Sequence, residues 1–441
     1  MHPSTRQNDD PPASTGPTPV NLEQRFARHD LAAFASQPAS QLMNTPGEWE
    51  PPEGVTPKRK LLFFSIGIPD SATLPRAEIA DAMQSVLDAN DDAAFRYGLG
   101  AGYFPVREWL ASYYGQERSY AFDADWFQVT NGSSGAIDLV VRSLVDPGDV
   151  IIAEAPTYQG TLHNFRGVLA DVHTVPVDTD GFDMDQFEQT LRTLARAGRR
   201  IKLVYTISTF QNPTGYTLAR ERRVRLLELA AEFGFYILDD EAYRELWFDT
   251  PPPPPIVELG GGYGVITVGS FSKVLATGLR VGWIHARPEL LAVFRRMRFA
   301  MGQNQVGLRM MGNFLAAGHL QPHIARMRGL YREKMQRTAD ALERHAGDLL
   351  TFERPQGGFY LWAAVPKGVS AQKVWRYAYE EGVLLNPGSG FHPARCEPTG
   401  DGRREHMRVA YAWVPLEDID EAARRLALAT ARATEEASRT G

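Results

Sequence analysis

The chain of 441 residues is 43% hydrophobic and 10% aromatic, a composition that allows a sizeable folded core and excludes a largely disordered polypeptide. Its formal net charge of −6 arises from acidic and basic residues mixed along the sequence, which argues against a nucleic acid partner. The single cysteine excludes a disulfide framework or a cysteine-based metal site within one chain, and we expect no metal.

Residues 1–20 are rich in Pro, Ser, Thr and Asp and offer too little apolar surface to offset the entropy of ordering, so we predict a disordered tail. The tail lacks the apolar core of a signal peptide, and no run of about 18 apolar residues occurs elsewhere. We therefore expect a cytoplasmic protein with no membrane partner. Residues 21–71 combine a helical pattern with a Pro-rich stretch, and we predict an N-terminal arm and part of a small domain.

Residues 72–315 alternate amphipathic stretches with the short apolar runs VIIAEAP, FYILDD and GVITVGS. This alternation predicts an α/β fold in which helices cover both faces of a mostly parallel sheet. Ligands in such sheets collect at the carboxyl ends of the strands. Residues 316–441 begin with a long helical stretch, continue with strand-like TFER, GGFYLWAAV and HMRVAYAWV, and end with a helix from about Leu416. They predict a smaller α+β domain.

Four of the predicted strands end in unusual polar residues. A helix begins near Ser133 and Ser134, where free N–H groups and the helix dipole favour an anion, although plain serine capping is the commoner reason for such a pair. Asn212 follows another strand in FQNPTG, which alone indicates only a turn. FYILDDEAY offers Asp240 and Tyr243 to one site, or else uses them as a cap and a core residue.

Lys273 follows the fourth strand, with Ser270 and Ser272 before it and Arg280 after it. A lysine that is partly desolvated and held near an arginine has a lowered pKa, which favours a nucleophilic amine able to form a Schiff base. In isolation this motif also suits a salt-bridged loop lysine. Taken together, the four strand ends describe a site for a phosphorylated aromatic aldehyde, with the acid on its ring nitrogen.

With these motifs the chain resembles the fold-type I, pyridoxal 5′-phosphate (PLP) dependent class I and II aminotransferases. Its motif style is similar to the branch that contains aminoadipate and aromatic aminotransferases. The resemblance extends from LLFFSIGIPD to HMRVAYAWVPLEDIDEAARRLA and rests on FQNPTG, DDEAY and SFSKVLATGLRVGW in the expected order. It implies a large domain with a mostly parallel, seven-stranded type of sheet between helices, and a smaller α+β domain. Thr277 and Ser208 depart from the branch, which often has prolines there.

The resemblance also implies roles for individual residues. Lys273 would form the Schiff base and carry protons, and Asp240 would keep the pyridine nitrogen protonated. Tyr243 and Asn212 would hydrogen-bond the ring phenolate oxygen, and Tyr158 in EAPTYQG would stack on the ring unless it is an ordinary core tyrosine. The further residues that would bind the cofactor, mainly its phosphate, are Ser133, Ser134, Ser270, Ser272 and Arg280, with Tyr97 from a partner subunit.

Substrate binding is implied for residues from both ends of the chain. Arg408 in HMRVAYAW would clamp the α-carboxylate, a task suited to a planar bidentate donor, although a lone strand arginine more often forms a surface ion pair. Gly67 in FSIGIPD and Asn212 would lie beside the substrate. The implied reaction is transfer of the amino group of an L-amino acid to a 2-oxo acid by a homodimer.

Two alternatives stay open at this point. The same cofactor groups serve elimination, replacement, cyclisation and oxidation, so a PLP-dependent lyase, replacement or cyclising enzyme of specialised biosynthesis is the second hypothesis. Some bacterial transcription regulators fuse a winged-helix module to an aminotransferase-like domain, which is the remote one. The residues before LLFFSIG are largely Pro-rich and show no helix-turn-helix pattern.

Overall fold

The structure is a computed structural model, and it describes residues 34–42, 50–89, 92–98, 100–117, 122–298, 302–393 and 405–440. The predicted disordered tail and most of the first helical stretch lie outside the described residues. The chain divides into two units, 1–44 and 45–441. The described part of the first unit contains one short helix, α1 (Gln37–Leu42). Every element named below belongs to the second unit.

One large sheet organises most of the second unit. Its strands are β2 (Phe127–Thr130), β3 (Val150–Ala155), β4 (Asp171–Asp178), β5 (Gly181–Phe182), β6 (Ile201–Thr206), β7 (Tyr236–Asp240), β8 (Val265–Ser270) and β9 (Gly282–His285). They lie in the order β2-β9-β8-β7-β6-β3-β4-β5. Strands β4, β3, β6, β7 and β8 pair in parallel, whereas β9 is antiparallel to both β8 and β2. The predicted α/β architecture with a mostly parallel sheet is confirmed.

The sheet contains one strand more than the seven-stranded type predicted from the sequence. This strand is the two-residue β5, which pairs antiparallel with the end of β4. The extra strand forms because Gly181, at φ +97°, closes a tight hairpin after Asp178. It extends only the edge of the sheet and leaves the order of the other strands unchanged.

Helices cover both faces of this sheet. They are α2 (Arg76–Asp88), α3 (Phe104–Glu117), α4 (Gly132–Leu144), α5 (Gln159–Gly167), α6 (Met184–Arg196), α7 (Arg220–Phe233), α8 (Ile256–Leu259), α9 (Pro288–Met297) and α10 (Gln305–Ala316). Successive residues of β3 enter two different apolar cores: Ile151 packs in one and Ile152 in the other. Because side chains alternate along a strand, this shows that both faces are buried, as in other parallel sheets.

A smaller set of strands and long helices follows. The strands are β1 (Leu62–Phe63), β10 (Tyr360–Ala364), β11 (Val383–Leu384), β12 (Asn386–Pro387) and β13 (His406–Ala410), and the helices are α11 (Leu320–Ala346), α12 (Ala371–Glu380) and α13 (Ile419–Thr440). Strand β13 lies antiparallel between β10 and β12, while β1 pairs in parallel with β11. The described helices include none with both the length and the apolar surface of a membrane-crossing segment.

The strands expected in GGFYLWAAV and HMRVAYAWV are confirmed as β10 and β13, and the terminal helix begins at Ile419 after a 3-10 turn. The strand expected in TFER is wrong. Only Thr351 of this segment forms a bridge, with Ala364. Pro355 follows immediately and has no N–H to donate, so the ladder does not continue.

The carboxyl ends of β2, β3, β6, β7 and β8 lie at one edge of the large sheet, where β9 begins at Gly282. A Cβ atom built on Gly282 would lie 2.5 Å from the carbonyl carbon of Gly132 and 2.7 Å from the carbonyl oxygen of Gly269. Glycine at position 282 therefore lets α4 begin directly against the sheet.

Replacing Gly282 with alanine forces backbone atoms apart, so we expect Gly282→Ala to lower the free energy of unfolding by about 1 to 3 kcal/mol. Gly329 is the control, because it lies on α11 with open space around its Cβ position. Gly329→Ala should be neutral or stabilise by up to about 1 kcal/mol. Urea unfolding of both variants measures the difference, and equal stabilities would contradict the close contact.

Candidate active site

The turn between β2 and α4 forms one side of the site. Gly132, at φ +72°, makes this turn in a conformation that glycine adopts without strain. Among the described residues, the side chain of Asn131 finds no capping partner at the start of α4. The N–H groups of the first turn, which includes Ser133 and Ser134, have no helical carbonyl to pair with and favour an anion.

Arg280 and the end of β8 complete this side. The Arg280 guanidinium donates to the carbonyl oxygen of Asn131 at 2.9 Å, which places a cation beside the start of α4. Ser270 pairs with Gly282 across the sheet, and its Oγ donates to Ser272 Oγ at 2.7 Å. The start of α4, Arg280 and Ser270 therefore lie together around Gly282.

Lys273 lies between the large sheet and the loop that follows β1. Its half-buried amino group donates to the carbonyl oxygen of Gly67 at 2.7 Å and lies 5.7 Å from the centre of the Tyr243 ring. A Cβ atom on Gly67 would lie 2.0 Å from the Tyr360 hydroxyl, so only glycine leaves room for this loop. An amine and a glycine separated by 206 residues in sequence therefore meet.

Asp240 ends β7 and is only 5% exposed. Burial raises the pKa of its carboxyl to about 6, and the Tyr205 hydroxyl at 3.2 Å, the Ala242 N–H at 3.3 Å and the charge of Lys273 oppose that rise. A buried carboxylate of this kind suits a cationic partner. A protonated pyridine nitrogen is such a partner.

Arg408 reaches the edge of the large sheet from β13. It is fully buried, so the surface ion pair considered for the sequence does not occur. Its guanidinium donates to Asn212 Oδ1 at 3.0 Å, to the Ser65 carbonyl at 2.9 Å and to Asn386 Oδ1 at 2.9 Å. The Tyr360 ring lies 4.6 Å from its Cζ atom. A planar cation held on several sides in this way is oriented to bind a carboxylate.

The remaining tyrosines occupy different positions. The Tyr243 hydroxyl lies 3.0 Å from the Tyr360 hydroxyl. Tyr158 is half-buried and lies just before the first residue of α5. Tyr97 is 79% exposed, and Ser134 and Arg280 are exposed as well.

Several buried residues beside the site were not identified from the sequence. Glu154 accepts hydrogen bonds from Thr206 Oγ1 at 2.5 Å, the Ile207 N–H at 3.1 Å and Gln211 Nε2 at 3.2 Å. Burial raises the pKa of its carboxyl to about 7. Tyr205, on β6, donates to Asp240. A carboxylate within the apolar strand VIIAEA was the available signal for Glu154, whereas an ordinary strand tyrosine gave none.

The donor set at this edge fits PLP. A helix N-terminus beside an arginine suits the phosphate dianion, and a buried carboxylate suits the protonated ring nitrogen. The amine of Lys273 is the group that reacts with an aldehyde, and Tyr158 offers an aromatic face. No other cofactor chemistry is needed to explain this combination of groups.

Comparisons with known proteins agree with this fit. The family model "Aminotransferase class I and II" matches residues 59–426. The aromatic-amino-acid aminotransferase 1 of Thermococcus litoralis is 33% identical over 82% of this chain and 86% of its own. The 2-aminoadipate transaminase of Thermus thermophilus is 34% identical over 84% of this chain and 90% of its own.

A solved structure gives the same result. The α-aminoadipate aminotransferase of Thermus thermophilus, complexed with N-(5′-phosphopyridoxyl)-L-leucine, superposes with a TM-score of 0.78 at 31% identity and covers 94% of this chain and 100% of its own. Helix-turn-helix regulators of Bacillus subtilis also match, at 27% and 29% identity. The findings favour neither the regulator nor the lyase alternative. The chain therefore belongs to the class I and II aminotransferases and is an enzyme that transfers amino groups with pyridoxal 5′-phosphate.

Proposed function

We propose that Lys273, Asp240, Tyr243 and Asn212 carry the transfer of an amino group from an L-amino acid to a 2-oxo acid. The observation that carries the proposal is the placement of the Lys273 amine, held by the Gly67 carbonyl at 2.7 Å, in one site with the buried carboxylate of Asp240. When bound, PLP supplies an electron sink that stabilises negative charge at the substrate Cα.

Each of these side chains has a distinct task. Lys273 would anchor the cofactor and, as a free amine, would carry the proton between the substrate Cα and the cofactor C4′ atom. Asp240 holds the proton on the ring nitrogen. Tyr243 and Asn212 donate to the ring oxygen, while Tyr158 covers one face of the ring. Transfer to a 2-oxo acid reverses these steps.

The phosphate requires donors that stay fixed through both halves of the reaction. The first turn of α4 and the Arg280 guanidinium would provide them, because Arg280 is bonded to the Asn131 carbonyl beside that turn. The residues proposed to bind the phosphate or lie beside it are Ser133, Ser134, Ser270, Ser272 and Arg280, with Tyr97 from a second subunit.

We also propose where the enzyme acts and how its chain is organised. A cytoplasmic location suits a chain with a single cysteine, because disulfide bonds are rare in that compartment. The proposed role is in amino-acid metabolism, including biosynthesis. We propose that residues 72–315 form the large PLP-binding domain and that residues 21–71 and 316–441 contribute to the small one. The pairing of β1 with β11 supports this division.

Replacing Lys273 tests the proposed role of its amine. In Lys273→Ala we expect kcat to fall at least about 10³-fold, because the proton carrier at Cα is gone. Borohydride treatment followed by peptide mass spectrometry should place the phosphopyridoxyl mass on Lys273 of the wild type only. Lys373→Ala, which removes an exposed lysine paired with Glu436, is the control and should behave as the wild type. Label on a different lysine would contradict the assignment.

Arg408→Lys tests the substrate carboxylate site. Lysine keeps the charge but loses the planar pair of donors, so we expect KM for both the amino acid and the 2-oxo acid to rise about 10- to 100-fold. Bound PLP should stay at the wild-type amount. Arg354→Lys, at an exposed ion pair, serves as the matched control. Unchanged KM values in a folded Arg408→Lys enzyme would show that the carboxylate binds elsewhere.

The proposed homodimer rests on exposed aromatic side chains in the segment between α2 and α3. Phe95 is 69% exposed and Tyr97 is 79% exposed, which favours burial against a second copy of the chain. We expect light scattering to give twice the mass of one chain. Tyr97→Ala should weaken PLP binding about tenfold, because the partner's donor to the phosphate is lost. A fully active monomer would overturn both parts of this proposal.

A further inference from the structure

Two consecutive hydrogen bonds lead to the carboxylate of Asp240. Thr161 Oγ1 donates to the Tyr205 hydroxyl at 3.0 Å, and that hydroxyl donates to Asp240 Oδ2 at 3.2 Å. Tyr205 is fully buried, and its ring meets Phe165 edge to face at 5.6 Å between centres. A phenol has one proton, and because Tyr205 gives it to the carboxylate, the Tyr205 oxygen can only accept from Thr161.

This chain connects three elements of the site. Thr161 lies in the first turn of α5, and its N–H donates to the carbonyl oxygen of Tyr158 at 3.1 Å. Tyr205 lies on β6 and Asp240 at the end of β7. The helix that follows the ring-stacking tyrosine is thereby tied to the acid proposed for the ring nitrogen.

The charges around Asp240 do not favour its ionised form uniformly. Glu241 raises the pKa of Asp240, and Glu154 lies close enough for the two carboxylates to repel each other. The charge of Lys273 acts in the opposite direction. Among side chains, the hydroxyl of Tyr205 is the main hydrogen-bond donor opposing the effect of burial on Asp240.

We propose that Tyr205, supported by Thr161, is a positioning residue that keeps Asp240 ionised and aimed at the cofactor nitrogen. The inference rests on the role proposed for Asp240. Tyr205 acts only through that carboxylate. Its single proton goes to one carboxylate oxygen, and the hydrogen bond from Thr161 holds the Tyr205 hydroxyl in this orientation. Chains of hydrogen bonds polarise one another, so Thr161 strengthens the donor that Asp240 receives.

The test is the pH dependence of PLP binding, measured by absorbance titration of the protein between pH 5 and 8.5. Neutral Asp240 attracts the ring nitrogen less than the carboxylate does, so PLP affinity falls as pH drops through the pKa of Asp240. Removing a donor to the carboxylate raises that pKa, and the fall begins at a higher pH. For Tyr205→Phe we expect the midpoint to rise by about one pH unit, equivalent to about tenfold weaker binding below it.

Tyr377→Phe is the matched control, because the Tyr377 hydroxyl also donates to a carboxylate, Glu436, on the surface. It should leave the midpoint unchanged. Thr161→Val should move the midpoint in the same direction as Tyr205→Phe by a smaller amount, and it decides the question if Tyr205→Phe does not fold. A wild-type midpoint in Tyr205→Phe and Thr161→Val, or an equal shift in Tyr377→Phe, overturns the proposal.

Asp240→Asn separates this inference from the role on which it rests. If Asp240→Asn binds PLP with the wild-type affinity and pH dependence, the role of Asp240 is wrong. If Asp240→Asn loses affinity and the pH-dependent midpoint while Tyr205→Phe and Thr161→Val match the wild type, only the positioning role fails.

Discussion

The burial of Asp240 is the constraint on which the rest of the site depends. The Asp240 carboxylate lies at the end of an apolar strand and is only 5% exposed, so it loses its hydration. It stays charged only where hydrogen-bond donors and cations take the place of the lost water. The structure supplies those groups from separate elements: a tyrosine of β6, a backbone N–H and the amine of Lys273. Parallel strands make this arrangement possible because their carboxyl ends share one edge.

At two glycines, neighbouring segments come close together at the carboxyl ends of the parallel strands, which positions further groups of the site. Gly282 lets the start of α4 lie against the sheet, which places helix N–H groups beside Arg280. Gly67 leaves room for Tyr360 and turns its carbonyl toward Lys273. The antiparallel sheet that contains β13 then delivers Arg408 to Asn212. Anion, amine and carboxylate sites therefore come from different parts of the chain, joined by glycine contacts and buried hydrogen bonds.

The sequence was most informative about features that are determined by residues close together in the chain. Apolar strands followed by polar residues identified the sheet and placed Asp240, Lys273 and Asn212 at its edge, and the fold class follows from their alternation with helices. Tyr205 and Glu154 were missed because their partners lie far away in sequence: Tyr205 contacts a residue 44 positions before it and another 35 after it. The strand predicted in TFER does not form: only Thr351 pairs, with the distant Ala364, and Pro355 after the segment has no N–H to donate. The short edge strand β5 was not predicted, because it follows a turn at which Gly181 has a positive φ.

Transamination by this enzyme requires that the amino group pass from a donor to the enzyme-bound cofactor and then to a 2-oxo acid. The most direct measurement adds a mixture of L-amino acids to the PLP-loaded protein without any 2-oxo acid and follows the absorbance of the bound cofactor. We expect a stoichiometric change, with one keto acid released per chain, that is reversed by adding 2-oxoglutarate or pyruvate. Continuous turnover without an acceptor, or no change with any amino acid, would contradict it.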